Sequence, residues 1–345
     1  MQETLEIEIT RGALVESVHR AHAVVVDDAG QVLYAAGDPE RVTFLRSSAK
    51  PLQALAMVES GAAAAFGFTD REVAVMCASH AGEPFHVTAV QSILQKIGLD
   101  ESALACGIHP PGHGPSAAAL IRAGESPRKI HNNCSGKHAS MLTLCQHKGW
   151  QIEGYTAPDH PVQVRLRRVL AEVAGMEPED VYVAVDGCNA PVFALPLHNI
   201  ARAFATLARP IAVSPERAAA AARISQAMRA HPEMVDGTGG FTTDLMTVAG
   251  DNVVSKSGAE ALFCAGALAQ GWGIAAKIED GTARAHPVLV PQLLAELSVI
   301  SSDQRDRLRE LHTAVVLNTA GTSVGEVRPL ITPLGQIPST APAPQ

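Results

Sequence analysis

The sequence predicts an α+β protein in which an antiparallel central sheet, assembled from both ends of the chain, is flanked by helices. Two sets of strand-like segments lie at the termini, and the stretch between them carries helical apolar spacing with helix-start chemistry. At the front, Leu5, Ile7 and Ile9 alternate with acids and Thr. Residues 23–26 then run into Asp27-Asp28-Ala29-Gly30 and Gln31-Val32-Leu33-Tyr34, the pattern of a β-hairpin.

Residues 47–61 read as an apolar helix carrying Leu52, Leu55, Met57 and Val58 and ending at Gly61. Asp70 is expected to cap a helix running through Met76, and 85–97 is amphipathic, with Val87, Val90, Ile93 and Leu94 on one side. The Gly-, Pro- and His-rich stretch 107–116 is expected to be a rigid loop. Further helices are predicted over 135–145, 161–174 and 215–230, with a short strand at 181–185. A strand over 251–255 precedes a predicted helix at 260–270, and the apolar region 263–276 reads as buried helix. Closing strands are expected at 313–317 and 323–328. No fixed-period repeat and no separating linker is visible, so 1–332 is expected to form a single domain and the Pro-rich 333–345 a flexible tail.

Bulk numbers limit the function. The 345 residues are 47% hydrophobic and 18% charged, which excludes a mostly disordered chain. Aromatics are only 4%, so the core must be built from small and branched aliphatics. The net charge is −8 and no basic run occurs, which argues against nucleic-acid and anionic-membrane partners. The N-terminus shows no positive region followed by an apolar one, and no stretch reads as a membrane span, so a cytoplasmic protein is expected. In a reducing compartment the six cysteines (77, 106, 134, 145, 188 and 264) are expected to be thiols, metal ligands or nucleophiles rather than disulfides. Cys145 and Cys264 read as core residues.

The densest chemistry is in Arg46-Ser47-Ser48-Ala49-Lys50-Pro51. Ser47 and Lys50 are three apart at a predicted helix start, so the amine can reach the hydroxyl. A serine attacks only when a base takes its proton, and a lysine serves as that base only where burial or nearby positive charge favours its neutral form. The plainer alternative is an N-cap Ser beside a solvated Lys. Lys256, in Ser255-Lys256-Ser257-Gly258, adds a strand-borne Lys-Ser-Gly of the kind that faces Ser-x-x-Lys in penicillin-recognising enzymes. Its alternative is a strand-end charge in a turn. Cys77-Ala78-Ser79-His80 reads either as an active-site loop, with Ser79 a second hydroxyl, or as a helix C-terminus with His80 at the negative end of the dipole.

A second cluster is His131-Asn132-Asn133-Cys134-Ser135-Gly136-Lys137-His138, with Asp186-Gly187-Cys188 further on. Two thiolates and a carboxylate suit zinc, whereas lysine is a rare ligand because its amine must first lose a proton. Buried unliganded thiols are the alternative.

Taken in order, Arg-Ser-x-x-Lys-Pro at 46–51, Cys-Ala-Ser-His at 77–80, the 131–138 cluster, Asp-Gly-Cys at 186–188 and Lys-Ser-Gly-Ala-Glu at 256–260 resemble the Rhizobium-type (class 3) L-asparaginases. The resemblance covers about residues 5–332. It implies a fold like that of serine β-lactamases and glutaminases, a homodimer, and hydrolysis of L-asparagine to L-aspartate and ammonia. It further implies two Ser–Lys pairs, Ser47 with Lys50 and Ser79 with Lys256, and a zinc site from Cys134, Lys137, Asp186 and Cys188. With four protein ligands such a zinc positions substrate rather than activating water. Arg46 and His80 are expected to contact the substrate carboxylate, Arg46 being equally suited to a structural salt bridge. The rivals are a glutaminase or other small-amide hydrolase, a β-lactamase or peptidase, and a non-catalytic structural zinc protein.

Overall fold

The computed structural model describes residues 3–211, 213–312 and 314–331. The start of the expected strand at Thr313 and the tail 333–345 lie outside the described residues. The elements run β1 (Leu5–Arg11), β2 (Leu14–Val26), β3 (Val32–Ala36), β4 (Val42–Phe44), α1 (Lys50–Glu59), α2 (Ala62–Ala65), α3 (Asp70–Met76), α4 (Pro84–Lys96), α5 (Gly114–Arg122), α6 (Ser135–Lys148) and α7 (Pro161–Ala174). They continue β5 (Tyr182–Val185), β6 (Pro191–Pro196), α8 (Leu197–Ala208), α9 (Pro215–Ala230), α10 (Glu233–Asp236), α11 (Phe241–Ala249), β7 (Val253–Gly258), β8 (Leu262–Ala267) and β9 (Trp272–Ile278). Last come α12 (His286–Glu296), α13 (Ser302–Leu311), β10 (Val315–Leu317) and β11 (Ser323–Leu330). The class is α+β, as expected. No helix among the described residues is long and apolar enough to cross a membrane.

The chain divides into two compact units, each discontinuous in sequence. The first comprises Met1–Thr43, Leu195–Ala212 and Asp244–Gln345, the second Phe44–Ala194 and Val213–Thr243. The first holds an antiparallel sheet in the order β10-β11-β1-β2-β9-β8-β7, with β3 also on β2. Both chain ends do build it: Ile7 pairs with Pro329 across β1 and β11, and Val24 with Ala275 across β2 and β9. β1 and β3 share one edge of the long β2 in succession, β1 along residues 14–21 and β3 along 23–26.

Helix α8 packs on β9, β8 and β2. The contact is close because two strand positions carry no side chain. A Cβ on Gly273 would sit 1.8 Å from the Ala201 carbonyl oxygen, and one on Gly266 2.8 Å from that of Phe204. Leu197, Ile200, Ala201 and Phe204, spaced for one helical face, are all buried.

Residues 260–270 and 263–276, read as helix, form the hairpin β8–β9, with Ala267 opposite Trp272. Every residue of β8 is buried. A central strand covered on both faces loses the polar alternation that marks a strand, and a run of Ala, Gly and Cys then resembles a buried helix. Two smaller differences concern helix starts. Thr69, not Asp70, caps α3, in a reciprocal capping box with Glu72. The expected loop 107–116 ends inside α5, whose first turn contains Pro115.

The second unit is helical around α1, which packs on α6, α7 and α9, while α3 packs on α4, α6 and α9. It carries β5, which pairs antiparallel with β6, Val183 opposite Phe193. Arg217 of α9 ties this packing together through Glu59 (2.8 Å) of α1 and Glu172 of α7.

Gly273→Ala tests the α8–sheet contact. The added methyl collides with backbone rather than with a movable side chain, so a loss of about 2–4 kcal/mol is expected. It should appear as a lower urea midpoint with an unchanged m-value, and an unchanged midpoint would mean the contact is looser than described.

Candidate active site

The second unit gathers most of the motif residues. Leu45 is held by its N–H on the Phe193 carbonyl, and Arg46 follows with φ +49. A non-glycine side chain in that region costs roughly 1–2 kcal/mol. Arg46 is retained there by its Nε, which donates to Asp186 Oδ1 at 2.9 Å. The turn 46–49 then leads into α1, whose Lys50 N–H bonds the Ser47 carbonyl oxygen. Ser47 is half-buried in this turn, and Ala49 rather than a serine occupies the N-cap of α1.

Lys50 is not solvated, for it is 1% exposed. Its Nζ donates to Ser79 Oγ at 2.9 Å and to the Asn133 carbonyl oxygen at 3.3 Å. The hydroxyl of the 77–80 motif therefore meets the lysine of the 46–51 motif. Lys256, in the first unit, is fully buried in β7, and its Nζ donates to the Ser257 carbonyl oxygen at 2.9 Å. A strand-end charge in an open turn does not describe it.

Cys134, Lys137, Asp186 and Cys188 also come together. Lys137 Nζ stands 2.9 Å from Cys188 Sγ and 3.8 Å from Asp186 Oδ2, and Cys188 Sγ 3.9 Å from the same oxygen. The hydrogen bond between the two cysteines, reinforced by the charges of Lys50 and Lys137, holds Cys134 well below the usual thiol range despite its burial. The same hydrogen bond, with burial, pushes Cys188 up. Burial alone would lower Lys137, but Cys134, Cys188 and Asp186 together raise it and keep it charged. Burial would raise Asp186, and Lys137, the Gly187 N–H and Arg46 outweigh it and keep the carboxylate ionised.

Donor atoms around a tetrahedral zinc ion lie roughly 3.3–3.8 Å apart, given arms of about 2.0–2.3 Å. The two contacts to Asp186 Oδ2 are close to that spacing, while the Lys137–Cys188 contact is a hydrogen bond. Only three of the four groups are of the usual zinc-binding types. Among the described residues no set of three or more His, Cys, Asp and Glu side chains is arranged to hold a metal ion. All six cysteines are buried free thiols.

Gly136, quoted within its motif but given no role from sequence, explains how the motifs converge. A Cβ there would lie 2.0 Å from the Val75 carbonyl oxygen. The missing side chain lets the first turn of α6 abut the end of α3, next to the loop that carries Ser79. Asn132 completes this corner: its side chain donates to the Cys106 carbonyl oxygen (2.8 Å) and accepts the Cys134 N–H (2.9 Å).

His80, expected to meet substrate, is 1% exposed. Its Nδ1 accepts the Gly82 N–H at 3.1 Å, so its proton is on Nε2, which lies 2.8 Å from Ser135 Oγ. It stacks on His86 at 5.0 Å between ring centroids. His86 in turn accepts the Glu83 N–H at Nδ1 and donates from Nε2 to the Glu233 carbonyl oxygen. Burial, then the charges of His86, Lys50 and His131, hold His80 well below the ordinary histidine value, and burial lowers His86 to about 4. Gly82 and His131 also line an open hollow of about 660 Å³ whose other walls include Val87, Pro111, His113 and Leu120. Neither Ser47, Lys50 nor Ser79 lines it.

Residues 7–329 match the L-asparaginase II family, and the chain belongs to it. Membership brings an asparaginase-type amidohydrolase activity on a small amide substrate. No curated protein matches the chain. Among solved structures, the chain is similar to a β-lactamase from Mycobacterium bovis at 19% identity, covering 76% of this chain and 88% of that one with a TM-score of 0.39. The family assignment rests on the sequence match.

The buried histidines make one measurable statement. An imidazole whose folded pKa lies below its unfolded value binds its proton more readily in the unfolded chain, so stability rises with pH across that interval. For His86 the interval runs from about 4 to 6.5. A titration of its ring protons by NMR should give a midpoint near 4, and urea midpoints should fall as the pH is lowered through the interval. A midpoint near 6.5 would mean that the ring is not held as described.

Proposed function

We propose that the chain is an L-asparagine amidohydrolase in which Ser47 is the nucleophile and Lys50 its proton acceptor. The observation that carries the reading is the dry Lys50 ammonium, one helical turn from Ser47 and 2.9 Å from the Ser79 hydroxyl, in a chain of this family. In the reacting state Lys50 is the neutral amine, and Nζ takes the proton of Ser47 as Oγ attacks the side-chain amide carbon, then passes it on through Ser79. Backbone N–H groups of the 46–49 turn take the oxyanion charge. The C–N bond breaks as the nitrogen is protonated by way of Ser79, and ammonia leaves an aspartyl ester on Ser47. Water hydrolyses the ester and the proton returns to Oγ. Lys256 enters the proposal through the Lys-Ser-Gly motif alone.

Arg46 is the proposed carboxylate contact. It is 31% exposed while its Nε remains on Asp186, so the rest of the guanidinium is open to a ligand. The homodimer and the cytoplasmic location expected from sequence belong to the same reading.

Zinc would be held by Cys134, Lys137, Asp186 and Cys188, where it supplies fixed positive charge. In its absence these residues form a proton-bridged cluster, so loading must displace the protons of Lys137 and of the thiol pair. Metal analysis of the purified chain is expected to find one zinc ion per chain, lost in Cys188→Ser. Chelation should raise KM more than it lowers kcat. A metal-free chain with an unaltered KM would remove zinc from the substrate site.

Ammonia release from L-asparagine, with L-glutamine alongside, tests the reaction. The two amides differ by one methylene, a distinction worth about 1–3 kcal/mol in a pocket. Ser47→Ala is expected to lower kcat for asparagine by at least ~10³-fold while leaving the thermal melt unchanged. Retained turnover would move the nucleophile elsewhere, and release from neither amide by the unaltered chain would refute the substrate assignment.

A further inference from the structure

Ser79 owes its place to a loop rather than to a helix or strand, and the loop is held mainly by side chains. After α3 ends, the Ser79 N–H reaches the Val235 carbonyl oxygen at 3.0 Å, and the Ala81 carbonyl oxygen receives the His113 N–H at 2.9 Å. Gly82 turns the chain with φ +70, where a Cβ would meet Pro111 Cα at 2.9 Å. Glu83 accepts the Thr238 N–H at 2.7 Å and the Thr238 hydroxyl at 2.9 Å. Two loop amides that point inward, those of Gly82 and Glu83, are taken by the imidazoles of His80 and His86.

The His80 ring does more than accept an amide. Its Nε2–H donates to Ser135 Oγ (2.8 Å), and that hydroxyl donates to the Ile130 carbonyl oxygen (3.0 Å). The directions are fixed without ambiguity, because an Nδ1 that accepts from Gly82 leaves the proton on Nε2. The chain of bonds thus runs from Gly82 through one imidazole to Ser135, the residue after Cys134. A ring in this state cannot reach a substrate carboxylate, since both nitrogens are committed and the side chain is dry.

We propose that His80 is a positioning residue: in a single tautomer it ties the backbone that carries Ser79 to the start of α6, and so holds the Ser79 hydroxyl over Lys50 Nζ. The proposal rests on the asparaginase reading above. It replaces the expected contact between His80 and the substrate with an action through Ser79.

The test uses His80→Asn, Ser135→Ala and the double variant in the full-length protein. Asn keeps an acceptor for Gly82 but cannot reach Ser135, so both single changes cut the same link. Each is expected to lower kcat by about 10–100-fold, as small displacements of a reacting group do, with KM within twofold of the unaltered chain. The double variant should lose no more than the worse single, because one chain of bonds is cut twice. Unchanged kcat, or losses that multiply in the double variant, would overturn the proposal. So would a raised KM with kcat kept, which would make His80 a substrate contact. If His80→Asn does not fold, Ser135→Ala carries the test.

A separate readout is amide exchange at Gly82 in His80→Gln, which retains a donor for Ser135 and removes the acceptor for Gly82. Exchange should accelerate at least tenfold, and unchanged exchange would overturn the tie itself. If the unaltered chain releases no ammonia, the asparaginase reading fails while this exchange result still decides whether His80 holds the loop.

Discussion

A lysine ammonium kept out of water is the constraint around which the second unit is arranged. An isolated charge in such a place is strongly disfavoured and persists only when the protein supplies the partners water would have given. For Lys50 these are the Ser79 hydroxyl and the Asn133 carbonyl oxygen. Each comes from a different segment. Fixing one nitrogen therefore fixes the end of α3, the start of α6 and the first turn of α1 together. The bare backbone at Gly136 is what allows the three to close on so small a point.

The thiol cluster extends the same logic. Lys137 faces the Cys188 sulfur and the Asp186 carboxylate at once, and Asp186 reaches from that cluster to Arg46, in the backbone position just before Ser47. The left-handed conformation of Arg46 would be unfavourable on its own and is sustained by this ion pair.

Much of this was legible in the sequence. The terminal strands announced themselves by alternation at Leu5, Ile7 and Ile9, and α9 by its Ala-rich run. The convergence of Cys134, Lys137, Asp186 and Cys188 was anticipated by motif, whereas the motifs paired Ser47 with Lys50 and Ser79 with Lys256, and the contact found is that of Lys50 with Ser79. What was not legible came from burial on two sides or from backbone contacts. β8 lost its alternation because nothing on it faces water. Helix α8 was missed although Leu197, Ile200, Ala201 and Phe204 carry the spacing that would have revealed it. The meeting of Lys50 with Ser79 depends on where two chain segments cross, and the glycine that permits the crossing has no side chain to advertise it.

The sheet has a consequence for how the chain is made. β1 finds one partner in β2 at once, but its other edge waits for β11, more than three hundred residues later. Most of the second unit is one uninterrupted segment, Phe44–Ala194, that leaves the ribosome well before β7 to β11 exist. Synthesis therefore offers the helical unit first, while the front hairpin must remain with an exposed edge until β11 has been made. An unpaired strand of this kind is a site for wrong pairing. The acids and Thr that alternate with Leu5, Ile7 and Ile9 serve the waiting hairpin as well as the finished sheet, because they keep one of its faces wettable throughout.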